Sequence, residues 1–339
     1  MEDTFARTNM IQNLGAEAPG KKDIQAEKMV DDCAWMVESF DGLSIDLRNR
    51  SLDELYELQW QQETGFANRI KESKKGSKQR IEIISKAYET VCQILHVIAE
   101  TNGDSALSMG MDDRYTQLVV ERLDRLKEND VEGGLFEIGF GSGLLLQSVS
   151  EAGFEVGGLE VASQLLDEAK SRLREDCHPN LCFGNLVDNA KVDSLEGRFS
   201  VVYWNDVFEH IPVDEIDDYL QKIYSLLTPG GELITITPNW HMRPMDVTAD
   251  NLGPRNTAIG FHLKEYKLSE VCGHLKKAGF GQVITPAFVG KARIRTSRML
   301  HFTWLKQKLE PLLEWLPYRA AVQLCRRFGL TTTIAKKSV

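Results

Sequence analysis

Apolar and polar positions along the 339-residue chain follow two regimes. Up to about residue 130, apolar residues recur every three or four positions, the period of a helix that buries one face. Met29, Val30, Cys33, Met36, Val37 and Phe40 form one such stripe and predict a helix over 26–40. Ser51-Leu52-Asp53-Glu54 opens a second helix with a capping serine and an acidic first turn. Ile84, Ala87, Val91, Ile94, Leu95 and Ile98 give one face of a long helix over 81–100, and Tyr115–Leu126 reads as a last helix. No strand is predicted in this half. Residues 1–24 lack periodicity and read as a mobile arm, and KESKKGSKQR at 71–80 reads as a solvated linker.

Beyond residue 130, short apolar runs alternate with helical patterns, as expected of βαβ units and a parallel sheet. Strands are predicted at 135–137, 156–160, 181–183, 199–204, 232–237, 282–288 and 331–336, with Ser163 capping a helix to Leu173 and another helix over 213–227. The chain therefore divides into an arm (1–24), a helical accessory region (25–130) and an α/β domain (131–339) that carries an insertion at 291–330.

The organising stretch is LFEIGFGSGLLLQSVSEAGFEVGGLE, residues 135–160. A strand ends at Glu137, the glycines Gly139, Gly141 and Gly143 follow at alternate positions, a helix begins, and a second strand ends at Glu160. Glycine lets the backbone turn sharply and bring its N–H groups to a ligand. An acidic side chain about twenty residues after the first glycine is placed to accept hydrogen bonds from a ribose. The site expects a nucleoside. The dinucleotide fingerprint requires its third glycine where Leu144 stands, which weakens a nicotinamide-dinucleotide reading.

E-x-G-x-G-x-G instead resembles motif I of the class I S-adenosylmethionine (SAM) dependent methyltransferases. Further landmarks agree in order and spacing: Asn205-Asp206-Val207-Phe208-Glu209-His210-Ile211-Pro212 after the fourth strand, Leu227-Thr228-Pro229-Gly230-Gly231 before the fifth, and Pro238-Asn239 after it. The segment Gly260–Tyr266 resembles the stretch before the last helix in the group that contains the ubiquinone-biosynthesis O-methyltransferases. The resemblance covers about 200 residues and leaves residues 1–130 unmatched. It implies a seven-stranded doubly wound Rossmann-like sheet whose last strand is antiparallel. It also implies SAM as cofactor, with S-adenosylhomocysteine as product, held by Glu137, Gly139, Phe140, Gly141, Gly143, Glu160, Val161, Asn185, Leu186 and Asn205. Asn185 stands where the family usually has an acidic residue facing the adenine; its amide oxygen can still accept.

Methyl transfer to an alcohol or phenol requires a group within reach of the leaving proton. His262, His241 and His210 are the candidate bases, and Asp206 is expected to line the cofactor or acceptor pocket. Trp204, Trp240, Phe208 and Phe261 are expected either as aromatic walls of the acceptor site or as packing residues. The (D/N)-P-P-(Y/F) segment of the amino-methylating nucleic-acid enzymes is missing after the fourth strand. The expected acceptor is a small molecule methylated at oxygen, with a lipid-linked glycan, a protein acceptor or a non-catalytic nucleoside binder as alternatives.

Charge narrows the partners. A net charge of −10 excludes nucleic-acid binding that relies on bulk positive charge. The six cysteines are scattered without metal-ligand spacing, so reduced thiols and no metal site are expected. With no apolar run long enough to span a bilayer and no leader pattern, a cytoplasmic location is expected. The insertion departs from the acidic background: residues 291–330 hold nine Lys or Arg against Glu310 and Glu314. Interleaved with them are Leu300, Phe302, Trp304, Leu305, Leu309, Leu312, Leu313, Trp315 and Leu316. This is either a basic amphipathic element for a peripheral membrane or anionic-substrate contact, or a stripe packed on the rest of the chain. The N-terminal helices are expected to cap the site, to form a homodimer, or both.

Overall fold

The computed structural model describes residues 35–103, 112–296 and 302–339. The N-terminal region contains a ribbon of β1 (Met36–Glu38) and β2 (Ser44–Asp46), then α1 (Leu52–Glu72), α2 (Lys78–Asn102) and α3 (Asp113–Lys127). The α/β domain follows as β3 (Gly134–Ile138), α4 (Leu144–Glu151), β4 (Val156–Glu160), α5 (Ser163–Arg172), β5 (Leu181–Phe183) and α6 (Ala190–Asp193). Its second half runs β6 (Phe199–Asn205), α7 (Ile216–Leu226), β7 (Leu227–Ile236), α8 (Thr248–Leu252), α9 (Leu268–Lys277) and β8 (Gln282–Ile284). A small ribbon of β9 (Phe288–Val289) and β10 (Ile294–Arg295), then α10 (Thr303–Leu309), α11 (Tyr318–Arg327) and β11 (Thr332–Lys336), complete it.

The central sheet has the order β5-β4-β3-β6-β7-β11-β8. β3 to β7 are parallel, and β11 runs antiparallel to both β7 and β8. β3 and β4 are buried at every position, as strands covered on both faces must be. On one face Phe136, Val202, Trp204 and Leu233 pack against α7 and α9; on the other Leu135, Val201, Tyr203 and Ile234 pack against α3, α4 and α5. From β3 the chain winds outward through β4 and β5, then crosses to β6 on the other side of β3. That reversal opens a crevice at the carboxyl ends of β3 and β6.

The helical expectation for 26–40 fails where it can be checked. Residues 1–34 lie outside the described residues, and 36–38 form a strand paired with 44–46. Asp41-Gly42 is the cause: Gly42 sits at φ 87°, Ser39 N–H donates to the Leu43 carbonyl, and the chain doubles back. β7 begins at Leu227 and runs through Thr228-Pro229-Gly230-Gly231, with the irregularity absorbed by a register shift against β6. The predicted strand 282–288 breaks after Ile284, because Pro286 has no N–H to give a ladder. Ser163 is the first helical residue of α5 and makes no side-chain cap.

The 71–80 linker is a docking contact as well as a break. Arg80, buried, reaches both Asp214 and Glu215; Gly76 N–H donates to Glu215; Lys75 pairs with Asp218. These bonds lay the α1–α2 hairpin over the loop that follows β6.

Candidate functional site

The turn after β3 is set by three glycines in left-handed backbone, at φ 70° (Gly139), 54° (Gly141) and 78° (Gly143). At two of them space is also short. A Cβ on Gly139 would lie 2.8 Å from Val207, and one on Gly143 would lie 2.9 Å from Ala169 of α5. Beside Gly141 a Cβ would meet nothing within 4 Å, so the loop is open on that side.

Glu160 ends β4 beneath this loop. One carboxylate oxygen accepts from Gly141 N–H (2.8 Å), and the other accepts from Val161 N–H (2.7 Å) and Ala162 N–H (3.1 Å). Burial raises its pKa, opposed by these three donors. A carboxylate has about four lone-pair directions, so a ribose hydroxyl meets a group already partly engaged. Glu137, at the end of β3, is buried with Oε2 unpartnered, and burial holds its pKa well above the usual carboxylate range. Asn185 closes a local turn, accepting from Val187 N–H and donating to the Tyr219 hydroxyl. Phe140 and Leu186 bury their side chains in the core on opposite faces of the sheet, which leaves only their backbones for the pocket. Val161 offers its backbone beside Glu160, and Asn205 closes β6 half-buried.

Across the crevice, the segment after β6 brings acids and histidines together. Asp206 adopts φ 51°, rare for a residue with a Cβ, and its N–H is tied to the Ile236 carbonyl. Glu209 is fully buried; Oε2 accepts from the Thr237 hydroxyl (2.9 Å) and Oε1 lies 3.8 Å from His262 Nε2. His262 Nδ1 lies 2.9 Å from Glu265, and the His210 and His262 rings are 4.9 Å apart. Burial, then the Asp206 charge, push Glu209 up to about 8. Burial alone lowers His262, but Glu265 and Glu209 outweigh it and lift the ring to about 9. His210 is pushed down to about 3 by burial and by the His262 charge, so it is neutral, and its Nδ1 has no partner.

Glu209, His210 and His262 also place one ligand-type atom each within 4.8 Å of one another, the donor set a divalent cation takes. Sequence spacing alone gave no metal site there, because His262 lies far along the chain from the other two.

The helical cap completes this wall. Tyr88 of α2 stacks on Phe261 (5.4 Å between centroids) and lies 6.1 Å from the His210 ring. Burial, with the charges of Glu209 and Glu160 adding to it, raises the Tyr88 hydroxyl. Glu63 of α1 is raised to about 7 by burial, and its carboxylate approaches Gly260.

Several sequence expectations change here. His241 stands apart, buried on the turn after β7 with Nδ1 3.0 Å from Glu314 of the insertion. Trp204 and Phe208 are fully buried in the sheet core, with the Trp204 indole donating to Thr235, and cannot line an acceptor pocket. Trp240 stacks under Arg243, whereas Phe261 does face Tyr88. Glu209, Glu265 and Tyr88 were not singled out. The E-H pair was the available signal for Glu209; Tyr88 sits in a helix whose pattern shows only an apolar face.

A doubly wound sheet, a glycine turn after its first strand and a buried glutamate ending its second define a nucleoside-binding α/β domain. Residues 136–233 match the methyltransferase domain family, and this segment is a class I SAM-dependent methyltransferase domain. The ubiquinone biosynthesis O-methyltransferase of Albidiferax ferrireducens is 29% identical over 105 residues, 31% of this chain and 41% of the relative. The 2-heptyl-1-hydroxyquinolin-4(1H)-one methyltransferase of Mycobacteroides abscessus is 24% identical over 127 residues, 38% of this chain and 56% of the relative. The chain thus spans about half the length of these curated relatives. The crystal structure of a SAM-dependent methyltransferase from Archaeoglobus fulgidus aligns over 71% of this chain and 98% of that one, at 18% identity and a TM-score of 0.41.

The residues present suit SAM. The unpartnered Glu137 Oε2 is an acceptor for an ammonium group, and the open side of Gly141 leaves room for a chain to pass over the loop. Glu160 offers its remaining acceptor capacity to a sugar hydroxyl.

Proposed function

We propose that the chain transfers the methyl group of SAM to a hydroxyl oxygen of a small-molecule acceptor bound between the glycine loop and the α1–α2 cap. The observation that carries this reading is the layer of proton-handling groups opposite the loop. There a neutral His210 with a free ring nitrogen lies beside Glu209 and His262, and the Tyr88 ring of α2 lies 6.1 Å from the His210 ring.

SAM supplies an electrophilic methyl on a sulfonium. The chain's own part is to hold donor and acceptor in line, to keep water out and to take the acceptor's proton. Glu137, Glu160 and the glycine loop hold the donor. Tyr88 and Phe261 cover the acceptor side and exclude water. His262 is held protonated by its carboxylates and cannot take a proton, and His241 is tied to Glu314. His210 Nδ1 is left to accept the hydroxyl proton. Its low basicity, set by burial and the neighbouring His262 charge, means that the proton leaves the acceptor during methyl transfer rather than before it.

Transfer of labelled methyl from SAM to a panel of phenols and alcohols tests the reading. His210→Ala should lower kcat about 100-fold or more while leaving SAM affinity unchanged. Wild-type turnover in that variant would remove His210 from the mechanism.

A further inference from the structure

The 291–330 insertion is two-faced. Its inner side is fixed to the domain: Leu313, Ala321, Cys325 and Leu330 pack with Met242, Leu268 and Cys272. Buried Glu310 accepts from the Asn239 amide (2.8 Å) and the Leu268 N–H (2.6 Å). Its outer side is apolar and bare. Trp315 is 88% exposed, Trp304 60%, Leu312 58% and Leu309 51%. Leu312 and Trp315, three residues apart on the 3-10 turn Glu310–Trp315, share one side of it, and Trp304 and Leu309 are exposed on the α10 that precedes it. Large apolar side chains clustered in water mark a contact surface rather than chance exposure.

The charges around this patch choose its occupant. Neither acid of the insertion is left unpaired: Glu310 is buried, and Glu314, 43% exposed, is held by Arg243, Arg255 and His241. Lys308 lies over the Trp304 ring, and Arg319, Arg326 and Arg327 are exposed. The outer face thus presents tryptophan, leucine and cations with no free carboxylate of its own, on a protein whose net charge is −10. A second copy of this acidic chain or an acidic soluble partner would satisfy the cations alone. A bilayer with anionic headgroups satisfies both features, taking tryptophan at the headgroup level and cations at the phosphates.

We propose that the outer face of residues 302–319 docks the protein on an anionic membrane surface. The placement of the patch gives the docking a purpose. Arg255 donates to the Leu313 and Leu316 carbonyls, binding the insertion to the 248–262 segment, which carries exposed Leu252 and Ile259 and ends at His262. The rim of the site therefore lies beside the docking face. An acceptor with an apolar tail resting in the contacted leaflet can enter without crossing water.

Sedimentation with vesicles tests this without any assay of activity. The full chain should pellet with phosphatidylcholine vesicles containing phosphatidylserine, pellet weakly with phosphatidylcholine alone, and release in high salt. Its tryptophan emission should shift to the blue on binding. The double variant Trp304→Ala/Trp315→Ala should lose association about tenfold or more. Lys308→Gln/Arg319→Gln should lose about fivefold per charge. Both should keep the wild-type melting temperature and SAM affinity, since these side chains point away from the core. Absence of retention on acidic vesicles, equal retention of the tryptophan variant, or a solution dimer that this variant dissociates would each overturn the proposal; the dimer would assign the face to a second copy.

Discussion

The His262 ring and the Glu209 carboxyl hold protons to higher pH in the fold than in the unfolded chain, and this fixes the sign of a pH effect. His262 rises from an ordinary value of 6.5 to about 9 and Glu209 from 4.5 to about 8. Between these limits the native state binds more protons than the unfolded state, so stability must fall as pH rises. The part owed to His262 is fully present below about 6.5 and is lost through about 9. Thermal melts should therefore drop by several degrees from pH 7 to pH 9.5, and His262→Gln should flatten that slope; an unchanged slope would show that His262 is not held protonated. Single residues differ in how far a sequence reveals them. The tight turn at Gly139, Gly141 and Gly143 was legible because left-handed backbone at three alternate positions permits few residue types. Trp204 and Phe208 were left open between pocket wall and packing, because a strand-end aromatic looks the same whether its ring faces the crevice or the core; both pack in the core. The pairing of His241 with Glu314 was not legible, because the two lie 73 residues apart in the chain.

At the level of elements, the doubly wound half followed the apolar period closely, since strands buried on both faces leave an unbroken signal. Its failures were local and had backbone causes: the strand that stops before Pro286, and β7 running through Pro229-Gly230-Gly231. The β1–β2 ribbon was missed because three-residue strands are too short for period 2 to outvote period 3.6, although Asp41-Gly42 marked the turn. The docking of α1–α2 was invisible because it depends on one buried cation. The side chain of Arg80 is 3% exposed and faces Glu215, 7% exposed. Removing one partner of a buried pair leaves the other charge uncompensated, a loss of about 3–5 kcal/mol. Arg80→Ala should lower unfolding free energy by that order and speed hydrogen exchange in α1 and α2 ahead of the central sheet. Exchange that stays uniform would show that the hairpin is held by its apolar contacts alone.

At the scale of the whole molecule, α2 contacts the segment that follows β6, through Arg80, and the insertion contacts the segment that follows β7, through Glu314. The sheet supplies the glycine loop and the carboxylates, the cap brings Tyr88 across them, and the insertion ties the rim through Arg255 and Glu314. Changes in period and charge suggested a division into regions, but not the contacts between them, because those join residues more than a hundred positions apart, such as Arg80 with Glu215. The central claim is that the crevice at the carboxyl ends of β3 and β6 binds SAM through Glu160 and the glycine loop, and isothermal titration calorimetry measures it most directly. SAM and S-adenosylhomocysteine should each bind one per chain, while NAD gives no heat. Glu160→Ala should weaken both about tenfold to a hundredfold through loss of charge-assisted bonds. Gly141→Val, which forces a branched side chain into left-handed backbone at the open side of the loop, should abolish binding. Saturable binding of NAD in place of SAM, or a Glu160→Ala dissociation constant equal to that of the wild type, would contradict the account.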